Sequence, residues 1–207
     1  MQRRHFRVAY GSLTEGQEAL LINASNTNAN LGTGVSGAIR AACGPGYQAM
    51  LHRTLQERFG GPIEPGQVFI TDAGAHPTAR FVAHVAVMDY RKGFTGRSYP
   101  DLRLLQDAYA RTWEAIEGLE GDDISVAVVA LGAGTGQIGL RTSVETACET
   151  FKRHVAGLRR SKIGDLVFYG HALHEYIATL AVVSEHFEVD LNALPAEIRQ
   201  SLYHWRT

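Results

Sequence analysis

The stretch NASNTNANLGTGVSGAIRAACG, residues Asn23–Gly44, directly follows an apolar run at Ala19–Ile22. It contains four asparagines and four glycines, and a helical pattern begins within it near Val35. A connection between a buried strand and a helix usually takes only a handful of residues. The sequence therefore predicts that this segment does more than turn the chain, because so many turn-forming residues also leave backbone groups exposed.

The rest of the chain alternates between patterns typical of strands and of helices. The run ISVAVVAL at Ile124–Leu131 is the most apolar, as expected for a strand covered on both faces. This alternation predicts an α/β fold with a mostly parallel sheet between two layers of helices. We expect strands at His5–Tyr10, Glu18–Ile22, Gln67–Thr71, Arg80–Met88, Ile124–Leu131 and Asp165–Tyr169. We expect helices at Val35–Ala42, Tyr47–Phe59, Tyr99–Gly118, Thr142–Leu158, His171–His186 and Pro195–Trp205.

Composition limits the classes of protein to which the chain can belong. Its 207 residues, with 45% hydrophobic and 20% charged side chains, suit one globular domain with a substantial core. A formal net charge of −1 gives no basic face for nonspecific nucleic-acid binding, so a bound nucleotide is expected to be a small ligand. The first residues lack the apolar segment of a signal peptide, and no apolar run reaches membrane-spanning length. We therefore expect a cytoplasmic protein that does not associate with membranes.

A second glycine-rich segment, GAGTGQIG at Gly132–Gly139, follows the apolar strand and precedes another helical pattern. In an open α/β sheet such loops lie outside the carboxyl ends of the strands, where ligands bind. Glycine lets backbone N–H groups approach a ligand, and the helix that follows adds partial positive charge. Neither loop contains lysine or arginine, so an anion would be held mainly by backbone dipoles. Two such loops facing each other predict a clamp for a diphosphate.

Other motif assignments fit this sequence less well. Gly32-x-Gly34-x-x-Gly37 and Gly134-x-Gly136-x-x-Gly139 both match the dinucleotide fingerprint formally. The first lies too far past its strand, and no acidic residue follows the second where a ribose hydroxyl would be bound. The second loop also lacks the GK[ST] ending of a P-loop, and no G-x-S-x-G motif is present. A dinucleotide-dependent oxidoreductase is thus an open but weaker alternative.

Several isolated reactive residues are expected to be structural. Cys43 and Cys148 are far apart in helical patterns, which favours two buried, reduced thiols. His84 lies within the apolar strand FVAHVAV and is expected to be a hydrogen-bonded core histidine. His171 and His174, in HALHE, do not have the order of a zincin motif and suggest no third ligand. We therefore expect partly exposed histidines there and no metal site.

Three segments together resemble the macrodomain family in their order and spacing. They are LLINASN…LGTGVSGAIRAACG, then GQVFITDAG…ARFVAHVAV, and later VVALGAGTGQIG. The similarity extends roughly from Val8 to Glu185. It implies a three-layer α/β/α macrodomain with a mixed, mostly parallel central sheet, and a cleft that binds ADP-ribose. It also implies that residues 1–207 form a single macrodomain, with residues 187–207 as a C-terminal helical extension.

The resemblance also implies which residues form the site. Asn26 matches the family asparagine that contacts the distal ribose, and it is the catalytic candidate, acting by orienting the substrate. Asn23 is expected instead to hold the loop through backbone hydrogen bonds. The two glycine loops are expected to wrap the diphosphate and the distal ribose. The candidate ligand-binding residues are Ser12, Leu13, Asn26, Gly32, Thr33, Gly34, Val35, Ser36, Gly132, Ala133, Gly134, Thr135, Gly136, Gln137 and Ile138.

The chain departs from the family pattern at three of these positions. Ser12 stands where the family has an aspartate that accepts a hydrogen bond from the adenine amino group. Ser36 stands where many hydrolytic macrodomains carry an aspartate proposed to activate water. Ile138 occupies a position in the second loop that is commonly aromatic. The expected fold is unaffected, whereas catalysis does not follow automatically; if the missing acid limits turnover, Ser36→Asp would raise hydrolase activity.

Two functions are consistent with these residues. One is an enzyme that removes mono-ADP-ribose from an acceptor or dephosphorylates ADP-ribose 1″-phosphate, by positioning a water and stabilising charge. The alternative is a non-catalytic reader of ADP-ribose or of a related nucleotide metabolite. The expected partner is ADP-ribose or an ADP-ribosylated macromolecule. We further expect a monomer that requires no metal or other cofactor.

Overall fold

The computed structural model describes residues 4–206, and within this range the chain forms six strands and six α-helices. The strands are β1 Phe6–Tyr10, β2 Leu20–Asn26, β3 Val68–Asp72, β4 Phe81–Met88, β5 Ile124–Val128 and β6 Ile163–Gly170. The helices are α1 Gly34–Ala42, α2 Tyr47–Phe59, α3 Leu102–Glu117, α4 Leu140–Ala156, α5 Leu173–His186 and α6 Ala196–Arg206.

The strands form one sheet in the order β1-β6-β5-β2-β4-β3. Each neighbouring pair is parallel except β3 and β4, which are antiparallel. The predicted α/β fold with a mixed, mostly parallel sheet is therefore confirmed.

Helices cover both faces of this sheet. The connections from β4 to β5 and from β5 to β6 run towards one edge and carry α3 and α4, which pack side by side with α5 beyond them. The connection from β2 to its parallel neighbour β4 runs towards the opposite edge and contains α1 and α2, so a right-handed crossover places these two helices on the other face. The largest buried side chains of the first face include Trp113 and Phe151, whose ring centroids are 5.3 Å apart in an edge-on arrangement.

Two strand boundaries differ from the sequence prediction by three residues or more. Strand β2 continues to Asn26, because Asn23–Asn26 pair with β4 although the sequence placed them in the loop. Strand β5 ends at Val128 rather than Leu131, because the next residues bind the hydroxyl of Tyr109 instead of a neighbouring strand. Both differences come from partners that are distant in the sequence.

Helix boundaries also shift, by up to three residues, and two of these shifts have a local cause. Helix α4 begins at Leu140, two residues before the predicted start at Thr142, because the turn at Gly139 leads directly into it. Helix α3 begins at Leu102, later than the predicted Tyr99, because the Asp101 side chain accepts the N–H of Leu104 and caps the helix there.

The C-terminal helix packs on the outside of α5. Leu202 of α6 is buried against Tyr176 and Leu180 of α5. Both cysteines are buried and free, as predicted. Among the helices of residues 4–206, none has the length and apolar character needed to cross a membrane.

Candidate functional site

The candidate site lies where the carboxyl ends of β2 and β5 meet. These two strands are parallel neighbours, so the loops that follow them emerge side by side at the same edge of the sheet. The chain leaves β2 towards β4 and leaves β5 towards β6, which makes this edge a topological switch point. We call residues 27–33 the first loop and residues 129–139 the second loop. The topology thus brings Asn26, Gly32–Ser36 and Gly132–Ile138 to the same edge of the sheet, and their contact with a ligand stays a prediction.

Asn26, the last residue of β2, organises the first loop. Its side-chain Oδ1 accepts hydrogen bonds from the backbone N–H groups of Asn28 (3.1 Å) and Asn30 (3.2 Å). Its Nδ2 donates to the carbonyl oxygen of Asn30 at 2.9 Å. Both lone pairs of Oδ1 are therefore used, and one amide N–H remains to donate to a ligand. The predicted role of Asn26 in orienting a ribose is restricted to that single donor.

Helix α1 presents its amino terminus beside the first loop. Thr33 is the N-cap, yet its side chain makes no capping hydrogen bond. The N–H groups of Gly34, Val35 and Ser36 occupy the first turn, where no carbonyl lies four residues earlier within the helix. Gly37 packs directly on the first loop, since a Cβ at this residue would lie 2.8 Å from the carbonyl oxygen of Gly32. The result is a set of backbone donors suited to an anion.

The second loop is held from below by a buried tyrosine. The Tyr109 hydroxyl donates to the carbonyl of Val129 (3.0 Å) and accepts the N–H of Leu131 (2.9 Å). Ser143 of α4 donates to the carbonyl of Leu131 at 2.8 Å and lies 3.1 Å from the same hydroxyl. Burial raises the pKa of Tyr109, so the phenol stays neutral and able to donate.

Only part of the second loop has free backbone donors. The N–H groups of Ala133, Gln137 and Ile138 bond to carbonyls of the loop itself. Within residues 4–206, the N–H groups of Gly134, Thr135 and Gly136 have no protein partner. Gly136 packs against the backbone of Gly132, because a Cβ there would lie 2.6 Å from its carbonyl oxygen. These three central residues therefore present consecutive backbone donors to a ligand.

A buried polar network lies beneath the first loop. The Ser36 hydroxyl faces Oδ1 of Asn23 and the carbonyl of Ala24, each at 2.9 Å. Nδ2 of Asn23 donates to Nδ1 of His84 at 3.1 Å. Asn23 is therefore structural, as expected, but it acts through side chains in the core rather than through backbone hydrogen bonds.

His84 anchors the other end of this network and is a core histidine, as predicted. Because Nδ1 accepts from Asn23, the proton lies on Nε2, which is 3.2 Å from both the Tyr47 hydroxyl and Oγ1 of Thr71. The ring stacks on Phe69 with centroids 4.9 Å apart. Complete burial lowers the pKa of His84 to about 3, so the imidazole is neutral near pH 7.

Ser36 therefore occupies a position built for a hydrogen-bond donor. We expect Ser36→Asp to destabilise the protein by about 2 kcal/mol, because its carboxylate would face two acceptor oxygens in a buried place. The expectation that the substitution raises hydrolysis, if the missing acid limits turnover, stays a prediction. Thermal unfolding measures the effect, and Ser36→Ala is the matched control that removes the hydroxyl without adding a charge. Equal melting temperatures for the two variants would contradict the prediction.

Ser12 and Leu13 lie at the end of β1, in a short turn that contacts α1. The Ser12 hydroxyl is 2.8 Å from Oγ1 of Thr14, and Leu13 is buried. Ser12 also accepts the N–H of Thr14 at 3.3 Å, which caps the turn. Their contact with an adenine therefore stays a prediction.

The histidines of the HALHE segment are exposed at the start of α5. Glu175 accepts the N–H groups of His171 and Ala172, each at 3.0 Å, which caps the helix. In the part of the chain that the structure describes, no group of three or more histidine, cysteine, aspartate or glutamate side chains is placed to hold a metal ion.

Residues 89–100 lie beside both loops, although no sequence pattern assigned them to the site. This segment follows β4 and is hydrogen-bonded to the first loop. The carbonyl oxygen of Tyr90 accepts a hydrogen bond from the side-chain amide of Asn28, and its N–H donates to the hydroxyl of Thr27. Pro100 lies close to Gly132 of the second loop. The sequence could have indicated this segment, because β4 was predicted as a strand. The carboxyl ends of parallel strands lie at the same edge of a sheet, so the residues after β4 were candidates for the site.

Comparison with known proteins agrees with this architecture. The model of the Macro domain family matches residues 22–147, which include both loops. The chain belongs to the Macro domain family.

Individual relatives are distant. An O-acetyl-ADP-ribose deacetylase from Citrobacter koseri is 28% identical over 148 residues, covering 72% of this chain and 78% of the relative. An uncharacterized protein from Thermoplasma acidophilum is 36% identical over 64 residues, which span 31% of this chain and only 33% of that protein. The crystal structure of a Trypanosoma brucei macrodomain in complex with ADP-ribose superimposes with a TM-score of 0.68 at 21% identity, covering 86% of this chain and 69% of the other. At this identity the structural similarity establishes the fold.

Proposed function

We propose that this chain binds ADP-ribose at the switch point between β2 and β5, with the diphosphate between the two loops. The observation that carries the proposal is a set of N–H groups that have no protein partner among residues 4–206, at the start of α1 (Gly34–Ser36) and in the adjacent second loop (Gly134–Gly136). Such donors suit a phosphate oxygen, and an uncapped helix end adds favourable charge. ADP-ribose is also the ligand of the Trypanosoma macrodomain with the same fold.

Calorimetric titration with ADP-ribose, ADP and adenosine tests the binding site. We expect micromolar binding of ADP-ribose and ADP, since both carry the diphosphate that the loops would hold. Adenosine lacks the diphosphate and should bind about a hundredfold more weakly. This difference in affinity corresponds to roughly two charge-assisted hydrogen bonds. Binding of adenosine as tight as that of ADP would contradict a role for the loop amides. Absence of binding by all three would overturn the proposal.

Hydrolysis of an ADP-ribosyl linkage is a second candidate function. It is supported by the similarity to a relative named as an O-acetyl-ADP-ribose deacetylase and by the backbone donors, which would stabilise developing negative charge. Asn26 and Ser36 supply no general base, because an amide is not basic and the Ser36 hydroxyl faces acceptors in the core. Catalysis would therefore depend on positioning of a water, helped by the phosphate of the substrate.

Incubation with defined substrates separates the enzyme from the reader. Aspartate-, glutamate-, serine- and DNA-linked ADP-ribose, O-acetyl-ADP-ribose and ADP-ribose 1″-phosphate are the substrates to compare. Release of ADP-ribose, acetate or phosphate above the rate without protein would establish hydrolysis. Micromolar binding with no release from any of them would establish a reader of ADP-ribose.

A further inference from the structure

A broad cleft opens on the outer side of the first loop, between α1 and α2. Its volume is about 800 Å³, and it is lined by Gly32, Gly37, Arg40, Gly46, Gln48 and His52 together with small side chains. We call it the α1–α2 cleft. Gly32, near the end of the first loop, and Gly37, in α1, therefore line this cleft, while the first loop also borders the proposed ligand site.

The wall of the cleft is fixed by hydrogen bonds between α2 and the first loop. Gln48 accepts the N–H of Leu31 at 2.7 Å and donates to the carbonyl of Ala29 at 2.9 Å. Nε2 of His52 lies 2.9 Å from Oδ1 of Asn30. A molecule in the cleft would thus meet a formed surface rather than a mobile loop.

The cleft has one full charge, and it is positive. Arg40 is exposed, lines the cleft, and has no hydrogen bond or ion pair with any residue between positions 4 and 206. None of the lining residues is acidic. An unpaired guanidinium surrounded by glycine, alanine and glutamine is complementary to a carboxylate, which it can bind through two parallel hydrogen bonds.

We propose that the α1–α2 cleft binds the acceptor polypeptide of an ADP-ribosylated protein, with Arg40 holding an acidic side chain close to the modified residue. The inference rests on the proposed binding of ADP-ribose. A polypeptide attached at the ribose end could cross the open surface of Gly32, where a Cβ would meet no atom within 4 Å. A nucleic-acid strand fits less well, because backbone tracking requires several cations and stacking requires aromatic side chains. The lining provides one arginine and, as its single aromatic ring, the imidazole of His52.

Competition against a fluorescent ADP-ribose probe tests the inference. The competitors are free ADP-ribose, two peptides that carry ADP-ribose through a linkage resistant to hydrolysis, and an ADP-ribosylated single-stranded oligonucleotide. The peptides differ only in the residues beside the modification, glutamate in one and serine in the other. We expect the wild-type protein to bind the glutamate peptide about tenfold more tightly than the serine peptide, as for one charge-assisted pair.

Arg40→Glu should remove this preference or reverse it, with the affinity for free ADP-ribose unchanged. Arg53→Glu is the matched control, because Arg53 is an exposed arginine of α2 that does not line the cleft. Equal binding of both peptides by the wild type, or an equal loss with Arg53→Glu, would overturn the inference. So would tighter binding of the oligonucleotide than of the glutamate peptide. Failure of free ADP-ribose to compete would instead refute the proposed function itself.

Discussion

Replacement of Gly136 by alanine is expected to reduce ADP-ribose affinity by about a hundredfold. The added methyl group would lie 2.6 Å from the carbonyl oxygen of Gly132 and 2.7 Å from its Cα. Both are backbone atoms, so the second loop has to shift, and the N–H groups of Gly134–Gly136 move with it. Loss of two hydrogen bonds to a charged diphosphate corresponds to about 3 kcal/mol, or roughly a factor of one hundred. Calorimetric titration of the variant measures the change.

Gly157→Ala is the control for this prediction. Gly157 caps the far end of α4, has a negative φ, and would place its methyl group at an ordinary contact distance of 3.5 Å. This variant should bind ADP-ribose as the wild type does. If Gly136→Ala also bound normally while remaining folded, the loop amides would not be the ligand donors.

Acid is expected to destabilise the protein through His84. The pKa of this histidine falls from an ordinary 6.5 to about 3 in the folded state. Between these values the unfolded chain binds a proton that the native protein does not, so stability falls as the pH decreases. The slope approaches about 1.4 kcal/mol per pH unit, which gives a loss of about 2 kcal/mol between pH 6.5 and pH 4.5. Urea unfolding at a series of pH values measures this loss.

His84→Gln isolates the contribution of the imidazole. Glutamine can still accept from Asn23 and donate to Tyr47 or Thr71, but it does not titrate. The variant should be less stable than the wild type at pH 7, because it loses the ring stacked on Phe69. Its stability should nevertheless change less between pH 6.5 and pH 4.5. Parallel pH profiles for the two proteins would show that His84 does not cause the acid sensitivity.

The order of the elements could be predicted because hydrophobic patterns are local. The apolar run from Ile124 and the glycines after it identified a strand followed by a loop, and the adjacency of β2 and β5 then placed both loops at one edge. The end of β5 could not be predicted in the same way. It depends on the hydroxyl of Tyr109, which is twenty residues from Val129 in the sequence.

The direction in which individual side chains point also could not be predicted from a single sequence. Whether Ser36 faces a ligand or the core depends on Asn23, and Asn23 is oriented by His84, 61 residues away. The resemblance to a family identified the position of Ser36 but could not show that its hydroxyl faces two acceptors. Similarly, the sequence placed Arg40 in a helical pattern and no more. That Arg40 lines a cleft follows from the packing of α2, which forms the opposite wall.

The hydrogen bonds that Tyr109 makes to the second loop have a thermodynamic consequence for ligand binding. Because α3 and α4 both hold the base of the second loop, the loop has little freedom to lose when a ligand arrives. Ordering a flexible segment usually opposes association through conformational entropy. Here that entropy was already lost when the chain folded, so a larger share of each hydrogen bond to a ligand can contribute to affinity.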